Sequence, residues 1–72
     1  MPRPGELLTF VSAEVDPAGN SYDGISRRWI NFNNGQIVMF IADRELRFLV
    51  LDGETLRTLD SRKWKPLSRI KE

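Results

Sequence analysis

The chain has no histidine and no cysteine among its 72 residues. Without histidine there is no side chain whose ordinary pKa lets it shuttle protons near neutral pH. Without cysteine there is no disulfide framework, no thiolate nucleophile and no thiolate metal site. No Ser-His-Asp or Cys-His set can be assembled. No Gly-x-x-x-x-Gly-Lys or Gly-x-Gly-x-x-Gly run offers a phosphate cradle. Pairs of carboxylates could do acid-base work, but 10 acidic residues in a chain of this length create such pairs by chance. The expectation is a protein that is not an enzyme and takes no cofactor.

Long apolar runs are missing too. No stretch approaches the ~20 residues that cross a bilayer, and residues 1–5, Met-Pro-Arg-Pro-Gly, lack the apolar core of a signal peptide. These absences predict a cytoplasmic protein with no membrane partner. The chain contains no internal repeat and no low-complexity tract. Its length allows a single domain, one that buries only about 60% of the surface exposed by its unfolded form.

Charge is present but unevenly placed. The net charge is +1. Residues 1–24 set Arg3 against Glu6, Glu14, Asp16 and Asp23, whereas residues 60–72 set Arg62, Lys63, Lys65, Arg69 and Lys71 against Asp60 and Glu72. Such a dipole can orient an encounter with a charged partner.

Punctuation by turn-formers predicts strands. Pro4-Gly5 breaks the chain before a first strand over residues 6–15, leaving residues 1–5 as a flexible arm and 6–72 as the domain. Residues 16–24 are rich in turn-formers and read as a loop. The carboxylates there fail the calcium-loop template: from Asp16, Ala18 falls at a ligand position, Ser21 replaces the glycine and Arg27 stands in place of the glutamate. No metal site is expected.

Asn34-Gly35 and Asp52-Gly53 suit the positive φ of tight two-residue turns and predict two hairpins. Across Asn34-Gly35 the register sets Phe32 opposite Ile37, Ile30 opposite Met39 and Trp29 opposite Phe40. Alternation then gives a core face of Ile30, Phe32, Ile37, Met39 and Ile41. The outer face carries Arg27, Trp29, Asn31, Val38, Phe40 and Ala42. Residues 43–45 break the apolar run as a turn or bulge. Residues 46–51 fit a strand better than a helical stripe because they are rich in β-branched and aromatic side chains, and they pair with residues 54–59. Residues 60–64 read as one helical turn capped by Asp60 or Ser61, and residues 67–70 as a last short strand. The expected fold is mainly β: a five-stranded, bent antiparallel sheet or barrel with one short helical turn.

A Pro-Gly-Glu-Leu-Leu opening at residues 4–8, a long loop, two hairpins, a one-turn helix and Lys-Pro-Leu at residues 65–67 together resemble the small Src-homology-like barrels of the KOW type. KOW-type barrels recur in transcription elongation factors and ribosomal proteins, where they bind RNA or protein. In size and chemistry the chain also resembles phage-encoded regulators that dock on host RNA polymerase, which would place it in the host cytoplasm.

The residues that invite a partner are aromatic and basic. Arg27-Arg28-Trp29 and Arg62-Lys63-Trp64-Lys65 put cations beside large flat rings. That combination serves single-stranded nucleic acid, through phosphate contacts and stacking, and it serves protein hot spots. A small core also needs large apolar groups, so either tryptophan can be structural. The near-cancelled net charge favours a protein partner, since nucleic-acid binders carry a basic excess. The predicted partner-binding residues are Arg27, Trp29, Asn31, Arg62, Lys63 and Lys65, with Arg3 projecting from the arm. The leading expectation is a monomeric transcription regulator that docks on RNA polymerase or an associated factor. A nucleic-acid-binding barrel and a phage assembly subunit are the alternatives.

Overall fold

The computed structural model describes residues 2–11, 19–33 and 35–67. Seven strands run in chain order: β1 (Leu7–Phe10), β2 (Asn20–Asp23), β3 (Arg28–Asn31), β4 (Ile37–Arg44), β5 (Arg47–Asp52), β6 (Thr55–Asp60) and β7 (Trp64–Pro66). A 3-10 turn, Ser61–Lys63, precedes β7. Five strands form an antiparallel sheet in the order β6-β5-β4-β1-β7, and β2 and β3 form a separate hairpin. The expected mainly β fold, with its five-stranded sheet and one helical turn, is therefore present. The sheet does not close into a barrel; β6 and β7 are its two edges.

The chain reverses between Asn33 and Gln36 but does not form the expected hairpin; Asn34 lies outside the described residues. Gln36 N–H donates to Asn33 O at 3.0 Å, and Gly35 holds φ +92°. Beyond that turn β3 and β4 separate, because β1 occupies the edge of β4 that β3 would have used. Phe10 N–H donates to Gln36 O and Gly35 N–H donates to Phe10 O, each at 2.9 Å. Ile37 consequently pairs with Thr9 instead of Phe32.

This partner change inverts the face assignment on β4. Val38 and Phe40 are buried, whereas Ile37 is exposed and Met39 and Ile41 are half-buried. Trp29 lies opposite Tyr22, not Phe40. The reading of residues 16–24 as loop is corrected in part. Asn20–Asp23 is strand β2, residues 12–18 with the end of the expected first strand lie outside the described residues, as do 68–72, and the last described strand is Trp64–Pro66, ahead of the expected 67–70. The helical alternative for residues 46–51 gives way to strand β5. The β5–β6 turn is centred one residue later than expected, on Gly53-Glu54, since Asp52 pairs with Thr55. A register break between Phe40 and Ala42 bends β4.

The core is one aliphatic-aromatic cluster: Leu8, Phe10, Phe32, Val38, Phe40, Phe48, Val50, Leu59 and Trp64. Trp64 packs against Phe10 and Phe32 at centroid distances of 5.1 and 5.0 Å, within the 4.5–7 Å range of favourable aromatic pairs. The N-terminal residues lie against the sheet. Pro2 is buried, Gly5 N–H donates to Phe40 O at 2.8 Å, and Arg3 N–H donates to Glu6 Oε1 at 2.9 Å.

The hairpin is fastened to the sheet edge through its turn. Gly24 N–H donates to Thr58 O at 3.0 Å, and Thr58 N–H donates back to Asp23 Oδ1 at 3.1 Å. Antiparallel alternation turns Ser21 and Asp23 inward and leaves Tyr22 and Trp29 facing outward. No helix among the described residues is long and apolar enough to cross a membrane.

Candidate docking cleft

Three segments meet around the outward face of the β2–β3 hairpin. Tyr22 and Trp29 form a cross-strand pair, edge to face, at 5.5 Å between ring centroids. Trp29 is 66% exposed, large for a tryptophan in so small a domain. The β4–β5 turn brings Leu46, 78% exposed, and the first residue of β5, Arg47. The 3-10 turn brings Arg62 and Lys63. Together these residues line a cleft of about 340 Å³, which Asp60 completes.

Local chemistry explains the positions. Asp60 caps the 3-10 turn, its side chain accepting from Arg62 N–H at 2.9 Å. Ser61 N–H donates to Leu46 O at 3.1 Å and so ties this turn to the β4–β5 turn. Lys63 Nζ donates to Asn20 O at 2.6 Å and lies 5.9 Å from the Trp29 ring centroid. The Arg47 guanidinium sits 5.3 Å from the Tyr22 centroid. Both distances are within reach of cation–π attraction.

The cations differ in availability. Arg62 is clamped by Asp60 at 2.8 and 3.1 Å, and its hydrogen bond to Asp60 raises its pKa. The same contact holds the Asp60 carboxyl below its ordinary value despite burial. Arg47 and Lys63 form no direct ion pair among the described residues, although the Lys63 charge helps hold the Asp60 carboxyl low. The cleft thus offers two aromatic rings, one exposed leucine and two cations outside any direct ion pair.

Of the residues chosen from sequence, Trp29, Arg62 and Lys63 come together here. Asn31 shares the outward face of the hairpin and donates through Nδ2 to Asn20 Oδ1 at 3.2 Å, but it lies outside the cleft lining. Arg27 is exposed in the hairpin turn at φ +61°, its N–H donating to Asp23 O at 2.7 Å. Lys65 lies on β7 and lines a different cavity. Arg3 is exposed and lines neither the cleft nor that cavity. Trp64 belongs to the core.

Tyr22, Leu46 and Arg47 escaped the sequence reading. Asp23-Gly24 could have revealed Tyr22, being the same dipeptide as Asp52-Gly53. Read as a turn it announces a β2–β3 hairpin, although the four-residue connection over residues 24–27 is what sets Tyr22 opposite Trp29. Among the described residues no group of three or more acidic side chains is placed to hold a metal ion.

Comparison with known proteins found no matching family model, no matching curated protein and no matching solved structure.

Proposed function

We propose that this chain is a non-enzymatic docking module that binds an acidic, partly apolar surface of a protein through the cleft between the β2–β3 hairpin and the 3-10 turn. The observation that carries this reading is Trp29, 66% exposed and flanked by cations and Tyr22. Tryptophan and arginine are the residue types that dominate binding hot spots. Cations outside any direct ion pair, beside apolar surface, give such a contact electrostatic register.

The partner proposed is a component of the transcription machinery, with RNA polymerase first, and the role is a cytoplasmic regulator of initiation or termination. The strand order supports the Src-homology-like reading behind this choice, as does the hairpin inserted between β1 and β4. The 3-10 turn before the last strand supports it further.

A single-stranded nucleic acid is the second reading, favoured by the stacking surface of Trp29 and the phosphate-binding capacity of Arg47 and Lys63. Protein ranks first because Arg62 is already neutralised by Asp60. Lys65, counted with the basic segment, is also absent from the cleft lining. Affinity capture from nuclease-treated bacterial lysate, at low and moderate salt, separates the two. Retained RNA polymerase subunits support the docking regulator. Nucleic acid alone, captured from untreated lysate and lost steeply as salt rises, supports the second reading.

A further inference from the structure

A second concavity uses the neighbouring residues of the same two turns, and its chemistry is the reverse of the cleft's. It encloses about 600 Å³ over an apolar floor of Phe48, Trp64, Pro2 and Pro66. Asp43 and Glu45 supply its carboxylates, and neither has a cationic partner among the described residues. No residue lines both concavities.

The main chain beside these carboxylates also points to a ligand rich in donors. β7 is an edge strand whose outward main-chain groups follow from its register. Val11 N–H donates to Lys63 O, which makes Val11–Lys63 a bonded pair, and the next bonded pair is Thr9–Lys65. The carbonyls of Trp64 and Pro66 therefore face away from β1, two residues apart. An extended segment presents its N–H groups at that spacing. Glu45 sits at φ +63° as the first residue of the two-residue turn between Arg44 and Arg47, which places its carboxylate at the cavity. Lys65 is the one cation on the lining, and it alternates to the opposite face of β7 from Trp64 and Pro66.

We propose that this cavity receives an arginine side chain carried on an extended segment of a partner protein. The guanidinium presents five N–H donors in a plane, bridges carboxylates and stacks on aromatic rings. It finds carboxylates at Asp43 and Glu45 above the apolar floor, while the segment's main chain adds to the edge of β7. No residue of the Tyr22–Trp29 cleft takes part, so this site stands or falls separately from the function proposed above.

The test is a two-dimensional amide NMR titration of the full chain. The probe is an acetylated, amidated peptide of alternating arginine and valine, compared with the same peptide carrying uncharged citrulline for arginine. Saturable shifts are expected at the Trp64 indole N–H and at the amides of Glu45 and Phe48, with the Trp29 indole unmoved. The Asp43→Asn, Glu45→Gln double variant changes two exposed residues, so its folded spectrum serves as an internal control, and it should bind at least tenfold more weakly. Equal binding of the citrulline peptide, shifts centred on Trp29, or no saturable shift would overturn the proposal.

Discussion

Arg57 donates from a terminal guanidinium nitrogen to Asp23 Oδ2 at 3.0 Å, joining the middle of β6 to the end of β2 across 34 positions of sequence. Asp23 is completely buried, and its other oxygen accepts from the N–H groups of Ile25 and Thr58. Arg57 also donates through Nε to Asp52 Oδ2 at 3.0 Å. One carboxylate thus fastens the hairpin carrying Tyr22 and Trp29 to the edge of the sheet. Asp23→Ala strips two main-chain donors of their acceptor and leaves Arg57 with Asp52 alone, and it should cost about 3 kcal/mol, a large share of the ~5 kcal/mol available to a domain of this size. Asp23→Asn keeps an acceptor for the main chain and should lose less. Urea unfolding of the two variants checks the order, and equal stability of Asp23→Ala and wild type would refute it.

Acid should loosen the same fastening. Burial pushes the Asp23 carboxyl up, but hydrogen bonds from Ile25, Thr58, Ser26 and Arg57 outweigh it and leave the pKa below its ordinary value. The Asp60 carboxyl is also lowered, chiefly by its hydrogen bond from Arg62. A lowered carboxylate pKa contributes stability that is complete above the unfolded-state value and fades as pH falls through the folded one. Stability should therefore hold steady from pH 5 to pH 8, roughly, where no histidine titrates, and drop below about pH 4. Thermal melts across pH read this directly, and in Asp23→Asn the acid-side drop should be shallower.

Gly24 is needed where the hairpin turn meets β6. A Cβ there would stand 2.5 Å from Thr58 Oγ1 and 2.9 Å from an Arg47 guanidinium nitrogen. The arginine end can swing aside more readily than the short threonine side chain. Gly24→Ala should cost about 1–3 kcal/mol as overpacking, and adding Thr58→Ala should recover much of it. Chemical denaturation of the single and double variants measures the recovery, and its absence would place the strain elsewhere.

The two tryptophans should behave oppositely. Trp64 is 3% exposed in the core, so Trp64→Ala should lose about 3–5 kcal/mol and leave the domain largely unfolded. Trp29 stands largely in solvent, and Trp29→Ala should change stability by less than about 1 kcal/mol. Circular dichroism and thermal melts distinguish the pair. An unfolded Trp29→Ala would make that residue structural and remove it from the docking surface.

Much of the architecture was legible in the sequence because turn residues and alternation are local signals. Gly53 places the β5–β6 hairpin and Asp60 caps the 3-10 turn. What failed was non-local. The chain does reverse between Asn33 and Gln36, but nothing near that turn in sequence announces that Phe10 takes the main-chain groups of Gly35 and Gln36. Once that partner is missed, alternation carries the error along β4 and exchanges Val38 and Phe40 for Ile37 and Met39. The cleft was legible by half for the same reason. Trp29, Arg62 and Lys63 stand out by residue type, whereas Arg47 matters only because a fold stacks it on Tyr22.

The central claim is that a protein partner is held through Trp29 and its cationic neighbours. The most direct measurement is affinity capture from nuclease-treated bacterial lysate with three baits in parallel: wild type, Trp29→Ala, and Arg47→Glu. Wild type should retain RNA polymerase subunits, and both folded variants should lose them at moderate salt. Equal retention by all three baits, or retention of nucleic acid alone when nuclease is omitted, would contradict the account.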